Sequence, residues 1–431
     1  MKFFLFLIIF LFNFNSAFAE SNLFFFLESA YKNNHKLNAE RENFKAIKQN
    51  LNISKSEFLP SISITGSIDG NQSSNRTDQV GANLSDISND TETKKISIDQ
   101  KIFSGFENYN SYKKSELEIK KAKFELKNVE QLTLLNAANV YFDLIYKSKS
   151  KKFNLSNVDL FERQVESDSV RMQKGEITLT DLAQSESSLA GAKAKYIAAE
   201  TELLTTKSNF ERIIRIKAPN KIIENFNIEI NLPNSLAESL SLSEKNNPKL
   251  LIARLNYQIS EKNLNIQKAK LSPTASINFS KSESKDYSST VDKIDQESVK
   301  AIVSWPIIKG GKNYASIKKS QYKKKQSNLI LKDTINDIKT QTANAWSVYQ
   351  SAESVQKSTI SQVEAAEIAN EGITLEYDSG NTRTTLEVIQ SRSLLLNARI
   401  ANAIAERDFI VSKFSLLETI GKLNLNNIRN L

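Results

Sequence analysis

Two segments of this sequence closely resemble each other: RMQKGEITLTDLAQSE at residues 171–186 and EYDSGNTRTTLEVIQSR at residues 376–392. In each, a glycine follows helix-like sequence, a threonine-rich loop comes next, and a carboxylate enters the next apolar-periodic run. Glycine accepts a positive φ at the end of a helix, threonine can cap the helix that follows, and a carboxylate in a first turn interacts favourably with the helix dipole. The segments therefore predict the ends of two helical hairpins.

Most other chemistry is excluded by composition. The 431 residues include no cysteine and a single histidine, His35. This excludes a thiolate nucleophile, disulfides, a lipid-modified cysteine, a histidine-based triad and histidine-rich metal sites. No carboxylate pair, nucleophile with a base, or phosphate-binding loop stands out. We therefore expect neither an enzyme nor a cofactor or metal.

The formal net charge of +9 is modest for a chain of this length. Lysines occur singly or in short runs such as YKKKQ at residues 322–326. Aromatic side chains do not alternate with them, as they would in a nucleic-acid groove. The lysines indicate solvated helix faces, and we expect no nucleic-acid partner.

The N-terminal segment MKFFLFLIIFLFNFNSAFA has one lysine, an apolar run from Phe3 to Phe12, and small residues at Ala17 and Ala19. This pattern predicts a secretory signal peptide over residues 1–19, cut after Ala19. A membrane anchor is the alternative, but the run is shorter than the ~20 residues that a spanning helix needs. Later apolar runs are interrupted by charges or amides, so any membrane insertion would use strands.

The chain repeats itself in two halves, with two pairs of similar segments: SEFLPSISITGSI (56–68) with KAKLSPTASINFS (268–280), and SIDQKIFSGFENY (97–109) with AIVSWPIIKGGKNY (301–314). Gly105 and Gly175 are separated by 70 residues, and so are Gly310 and Gly380. With only 11 Gly and 6 Pro to interrupt it, the chain is expected to form long helices. Apolar residues in the run 384–420 recur at alternating steps of three and four, which is typical of a coiled coil.

Four segments show the period-two alternation of strands: about 60–68, 95–103, 273–280 and 298–306. Polar stretches join them in pairs, at residues 69–94 and 281–298. One apolar face, one polar face and long hydrophilic loops are typical of outer-membrane strands, although a small water-soluble sheet is the alternative. Four strands cannot close a membrane barrel, so other copies must complete it. Two copies would give eight strands and three would give twelve, and a wide channel favours three or more.

These patterns predict a mainly helical chain with a small β part and a two-fold internal repeat. The expected organisation is a signal peptide (1–19), a first repeat (20–218) with a hairpin over about 105–216, a linker (219–234), a second repeat (235–421) with a hairpin over about 311–420, and a C-terminal tail (422–431).

The sequence resembles the TolC family of outer-membrane efflux and secretion ducts over essentially the whole mature chain. The resemblance rests on the repeat order, on FLPSISITG, on TRTTLEVIQ, and on SWPIIKGG, which is similar to the family's Pro-Ile-x-x-Gly-Gly signature. It implies a homotrimer in which a twelve-stranded barrel in the outer membrane continues into a twelve-helix periplasmic tunnel with a closable tip.

The resemblance also implies a function and partners. The chain would be the passive exit duct of a tripartite efflux pump or a type I secretion system. A periplasmic adaptor would dock on the hairpin tips at Gly175 and Gly380, together with an inner-membrane transporter of the RND, ABC or MFS type. The alternative is a non-channel periplasmic coiled-coil protein, adaptor-like or a surface filament. Adaptors usually have one hairpin between glycine-rich β modules, whereas this chain has two hairpins and few glycines.

The resemblance further implies two sets of site residues. A latch would join Asp181, with Thr180 beside it, to Tyr377 and Arg383 of the second hairpin. The periplasmic aperture would be lined by Glu387 and Gln390. Two departures from the family's pattern follow: Gln390 replaces a second acid, which weakens the cation field at the constriction, and the loop from Gly380 to Arg383 is one residue longer than its commonest form.

Overall fold

The structure is a computed structural model that describes residues 23–219, 230–288, 290–379 and 383–428. The predicted signal peptide, most of the predicted linker, Gly380 and the last three residues of the tail lie outside these residues. The described part of the chain is mostly helical, with one larger and one smaller sheet. The predicted fold class is confirmed.

Two pairs of long helices account for most of the described residues. The helices are α1 (Leu23–Asn33), α2 (His35–Ser56), α3 (Glu107–Gln173), α4 (Leu179–Ile214), α5 (Leu236–Asn246), α6 (Pro248–Ala269), α7 (Lys312–Asp378), α8 (Thr385–Thr419) and α9 (Leu425–Ile428). Among the residues described, no helix combines the length and the apolar character needed to cross a membrane.

Four long strands pair antiparallel in the order β1-β4-β5-β6. The strands are β1 (Ser61–Ser73), β2 (Arg76–Thr77), β3 (Asn83–Leu84), β4 (Ile87–Phe103), β5 (Thr274–Ser288) and β6 (Val291–Ser304), with β2 and β3 forming a small hairpin between β1 and β4. Within the described ranges, β1 and β6 each pair on one side only. Ile62, Ile64 and Ile68 of β1 and Val299 and Val303 of β6 are exposed.

The four strands are longer than the sequence predicted. The stretches 69–94 and 281–298, expected to be loops, are mostly strand: the β1–β4 register continues from Ser61↔Asp99 to Ser73↔Ile87. The β5–β6 register reaches Ser288↔Val291. Backbone N–H and C=O groups pair whatever side chains they carry, so the ladder continues through polar residues that give no apolar alternation. The prediction of long polar loops was therefore wrong.

The chain divides into two compact units, and neither is one of the sequence repeats. Unit 1 comprises Met1–Ala39, Asn128–Asn247 and Ile338–Leu431, and unit 2 comprises Glu40–Lys127 and Pro248–Asp337. Each unit therefore takes segments from both repeats. The four-stranded sheet belongs to unit 2, and the ends of both long hairpins belong to unit 1.

The core of unit 1 is built from large apolar side chains of α1, α3, α4 and α8. The Phe26 ring of α1 contacts Tyr141 of α3 at 5.5 Å between centroids and Phe210 of α4 at 5.2 Å. Phe414 and Ile420, at the end of the last long hairpin, are fully buried in the same cluster. Aromatic pairs in edge-to-face and tilted geometry stabilise the cluster beyond the area that they bury. The cluster therefore fixes the C-terminal ends of α4 and α8 against the middle of α3.

Gly421 ends α8 with φ +73°, and a Cβ atom there would lie 2.2 Å from the carbonyl oxygen of Asn246. We expect Gly421→Ala to lower the melting temperature of the purified protein strongly, because the backbone of Asn246 would have to move. Gly175→Ala is the matched control. Gly175 has φ +77° but nothing within 4 Å of an added Cβ, so only left-handed strain of about 1–2 kcal/mol remains. Equal melting temperatures of the two variants would contradict the close approach.

Candidate functional site

The turn of the first long hairpin lies entirely within the described residues. α3 ends in a Schellman motif, in which the Gly175 N–H donates to Met172 O at 2.9 Å and the Glu176 N–H donates to Arg171 O at 2.9 Å. Gly175 has the positive φ that the sequence predicted. The corresponding Gly380 lies outside the described residues.

Each returning helix begins with a threonine N-cap and a reciprocal capping box. Thr178 caps α4 and pairs with Asp181, and Thr384 caps α8 and pairs with Glu387. Asp181 Oδ2 accepts hydrogen bonds from the Thr178 hydroxyl at 2.7 Å and the Thr178 N–H at 3.0 Å. These two bonds hold the pKa of Asp181 below its usual range. Asp181 is therefore an ionised cap of its own helix.

Glu387 has a second partner that Asp181 lacks. Its Oε2 accepts from the Thr384 N–H at 2.8 Å, and its Oε1 accepts from Arg383 Nη1 at 2.9 Å. The Thr384 N–H, followed by the Arg383 guanidinium, lowers the pKa of Glu387. Arg383 also donates through Nε to Glu376 Oε2 at 2.6 Å, and both carboxylates raise its pKa. One cation therefore ties the end of α7 to the start of α8.

A buried carboxylate, Asp168 of α3, lies between the two hairpins. It is fully buried and accepts from the hydroxyl of Tyr377 at 2.7 Å, the hydroxyl of Ser185 at 2.5 Å and Nε2 of Gln164 at 2.9 Å. The Tyr377 hydroxyl also lies 3.1 Å from Oγ1 of Thr385. These five residues, which we name the Asp168 cluster, join α3, α4, α7 and α8.

Two arginines surround the Asp168 cluster. The Arg171 guanidinium lies over the Tyr377 ring, 4.4 Å from its centroid, in the geometry of a cation–π contact. Arg392 donates to the carbonyl of Leu160 at 3.1 Å, and its burial lowers its pKa against the attraction of nearby acids, Asp168 among them. Burial, followed by the hydrogen bond with Asp168, raises the pKa of Tyr377. The Tyr377 hydroxyl therefore stays protonated as a donor to Asp168.

The residues of the expected latch have other partners within one chain. Tyr377 bonds to Asp168, Arg383 bonds to Glu376 and Glu387, and Asp181 bonds to Thr178. No hydrogen bond in the described part of the chain joins Asp181 to Tyr377 or Arg383. The physical reason is that Asp181 sits at the third position of its helix, where its own cap engages it. Thr180 is exposed beside it.

Glu387 and Gln390 are one helical turn apart, so they share a face of α8. Gln390 is exposed and Glu387 is partly exposed, as an aperture role requires. The Arg383 guanidinium, which donates to Glu387, offsets part of the charge of this carboxylate. Within the described ranges, no group of three or more His, Asp or Glu side chains is arranged to hold a metal ion.

The sequence reasoning missed Asp168. Its only local signal is that Gln164 and Asp168 are spaced four apart on one helix face, a common arrangement on solvated helices. The partner that distinguishes it, Tyr377, is 209 residues away.

Tyr377→Phe should destabilise the hairpin ends, because it removes one donor from a buried carboxylate while keeping the ring against Arg171. The cost of such a loss is about 1–3 kcal/mol. We expect a lower melting temperature and faster amide hydrogen exchange in residues 374–379. Tyr349→Phe is the control, since the Tyr349 ring stacks on Phe409 of α8 and, among the described residues, its hydroxyl has no hydrogen bond. Equal exchange in the two variants would argue against a structural role for the Asp168 contact.

Comparison with known proteins gives one family and one fold. The model of the family described as "Outer membrane efflux protein" matches residues 26–214 and 239–422. The outer membrane efflux protein BepC of Brucella suis biovar 1 (strain 1330) is 26% identical over 403 residues, which are 93% of this chain and 86% of BepC. The outer membrane protein TolC of Escherichia coli (strain K12) is 20% identical over 312 residues, which are 68% of this chain and 62% of TolC.

Among solved structures, the CmeC outer membrane channel of Campylobacter jejuni superposes with a TM-score of 0.83. The superposition covers 95% of this chain and 89% of CmeC at 14% sequence identity. At that identity the likeness is one of fold.

Proposed function

Because the chain belongs to the outer membrane efflux protein family, we propose that it forms the exit duct of a tripartite efflux pump or of a type I secretion system. The duct is a passive trimeric channel. The observation that carries this proposal is the open four-stranded sheet, whose outer strands have unpaired edges and exposed apolar rows.

Association of three copies would pair the backbone groups at the edges of each sheet with those of a neighbouring copy. In lipid, each unpaired backbone group costs several kcal/mol, so an open sheet cannot remain single there. Two copies would give eight strands, whose interior fills with side chains. Three copies give twelve strands and a lumen, which an exit duct requires. The exposed isoleucines of β1 and valines of β6 then face lipid or a neighbouring copy.

The hairpin ends are the periplasmic entrance in this proposal. A periplasmic adaptor docks at the turns of Gly175 and Gly380, and an inner-membrane transporter supplies the cargo. The signal peptide over residues 1–19 directs export, and the protein carries no lipid because it has no cysteine. Docking opens the tip.

We assign closure to contacts between hairpins. Within a chain, the Asp168 cluster holds Tyr377 against the first hairpin. The latch of Thr180, Asp181 and Arg383 then acts between neighbouring copies. The hydrogen bonds within the chain leave one atom of each residue for this contact. Both hydrogen bonds to the Asp181 carboxylate use Oδ2, and Arg383 donates through Nε and Nη1. Asp181 Oδ1 and Arg383 Nη2 have no hydrogen bond among the described residues, so they are available to a second copy.

We assign the aperture to Glu387, with Gln390 one turn further along α8. In a trimer, Glu387 would form a ring of three carboxylates, which focuses the field on passing cations. Gln390 contributes three uncharged amides to the next layer.

The mature protein should be a trimer in the outer membrane. We expect native mass measurement after detergent extraction of isolated outer membranes to give three chains. Deletion of residues 69–94, which removes paired portions of β1 and β4, should abolish the trimer. The shortened edge strand β1 would no longer match the edge strand β6 of a neighbouring copy. A soluble, monomeric mature chain would instead favour the non-channel coiled-coil protein.

Glu387→Gln should lower cation selectivity and reduce block by multivalent cations in planar bilayers, because one ring of three charges is lost. Gln390→Asp should strengthen the block by adding a second ring. Glu364→Gln is the control, since it makes the same charge change on an exposed residue of α7. Unchanged selectivity in Glu387→Gln, or an equal effect of Glu364→Gln, would place Glu387 outside the aperture.

Arg383→Ser should raise single-channel conductance, because it frees the end of α7 from α8 and removes the donor to Asp181. A charge-assisted hydrogen bond contributes about 1.5–3 kcal/mol, and three copies would bias the closed state strongly. Adding Asp181→Ala should change conductance little further if both substitutions break the same contact. Additive effects would mean that the two residues act separately. No change from either would place the latch elsewhere.

A further inference from the structure

The first nineteen residues of α7, 312–330, contain six lysines and no acid. The chain's own repeat provides the comparison, since residues 107–125 of α3 stand at the same distance after Gly105 as 312–330 stand after Gly310. That stretch contains five lysines and four glutamates. At the positions of the four glutamates, α7 has Lys312, Gln321, Lys323 and Ile330.

The missing acids change the surroundings of the lysines. In α3, lysines pair with glutamates along the helix: Lys113 with Glu116, Lys114 with Glu118 and Lys121 with Glu125. In α7, Lys324 pairs with Glu261 of α6 at 2.6 Å. Five lysines, Lys312, Lys318, Lys319, Lys323 and Lys325, are exposed, and none of them has a carboxylate partner among the described residues. Lys319 and Lys323 are two of these unpaired ammonium groups.

Lys319 and Lys323 line two grooves on unit 2. The first groove, of about 550 Å³, lies between α6 and α7 and is otherwise lined largely by amide and hydroxyl side chains, including Asn256, Asn263 and Gln267. The second, of about 660 Å³, contains the exposed rings of Tyr314 and Tyr322. The two lysines are one turn apart, so both ammonium groups can reach one anion in either groove.

This combination of side chains suits the phosphate of a lipid headgroup. Lysine binds phosphate as a point charge, amides and hydroxyls add hydrogen-bond donors, and tyrosine rings favour the boundary between lipid and water. The chain between β6 and α7 presents exposed Trp305, Ile307 and Ile308, an interfacial anchor next to the end of the sheet. At 1.5 Å per residue, Lys319 lies about 10 Å along α7 from its first residue, close to the headgroup layer.

We propose that Lys319 and Lys323 form a binding site for the phosphate of an anionic membrane phospholipid. The inference rests on the proposed function, because it requires the sheet of unit 2 to lie in a membrane. Each copy carries one such site, at the start of α7. The equivalent part of α3 carries none, because four glutamates stand among its five lysines and three of those lysines are paired with them.

The test measures lipid binding to the full mature protein, extracted from outer membranes in detergent, by native mass spectrometry. The probes are phosphatidylglycerol and phosphatidylcholine with the same acyl chains. We expect the wild-type protein to retain phosphatidylglycerol in preference. Lys319→Gln with Lys323→Gln should weaken that binding about thirtyfold, since a lysine near an anionic surface contributes about fivefold. The control, Lys114→Gln with Lys120→Gln in α3, makes the same charge change and should leave binding nearly unchanged.

Four results would overturn the site. The first is equal weakening in both double variants, and the second is equal retention of the two lipids by the wild-type protein. The third is displacement of phosphatidylglycerol by millimolar inorganic phosphate, which would identify a free phosphate as the ligand. The fourth is unchanged lipid binding with altered ion selectivity in planar bilayers, which would place the lysines in the lumen. The same spectra count chains, so loss of the trimer, which contradicts the proposed function, is distinguishable from a trimer without lipid.

Discussion

The backbone hydrogen bonds of the outer strands β1 and β6 are the constraint on which the rest of the structure depends. Four strands leave two edges, and an edge in lipid cannot be satisfied by water. The need to pair these edges explains why the strands continue through polar residues, as the β1–β4 ladder does to Ser73↔Ile87. A longer ladder offers a longer edge to the next copy. In the trimer proposed above, the number of sheets that close the barrel also fixes how many copies of each hairpin meet at the proposed entrance.

The hairpin ends combine a repeated feature with a unique one. Both returning helices use the same threonine cap and carboxylate, which makes each turn locally stable without any contact between hairpins. The Asp168 cluster is different, because Ile373 stands as far before Gly380 as Asp168 stands before Gly175. Among the described residues, the first hairpin therefore offers the buried carboxylate, and the second offers the tyrosine that donates to it. The caps stabilise each turn, and the cluster determines how one hairpin is held against the other.

The local features of this fold could be predicted from the sequence, and the long-range ones could not. Thr-x-x-Asp and Thr-x-x-Glu after a helix are signals within a few residues, so the hairpin ends were predictable. The ends of the strands were not, because residues 69–73 and 87–94 pair through their backbones while their polar side chains are typical of a loop. The role of Asp168 could not be predicted from the sequence either. A carboxylate on a helix is usually solvated, and its burial depends on a tyrosine 209 residues away. The resemblance to a known family gave the latch residues but not the partners that they have within one chain.

In the proposed assembly of three copies, divergence between the two repeats determines which features occur three times and which occur six times. If the repeats were identical, every feature would occur six times around the axis, and no surface could be distinguished from its neighbour. Where the two repeats differ in charge or burial, a feature occurs three times instead of six. In the described part of the chain, the Asp181 carboxylate bonds to its own cap, whereas Glu387 also binds Arg383, so the two capping carboxylates present different charge to their surroundings. The start of α3 carries four glutamates among its five lysines, whereas the start of α7 carries six lysines and no acid, and in the described structure one of the six, Lys324, pairs with a carboxylate, on α6. Since the repeat supplies the same backbone at both places, the function of each place depends on the side chains that the other repeat lacks.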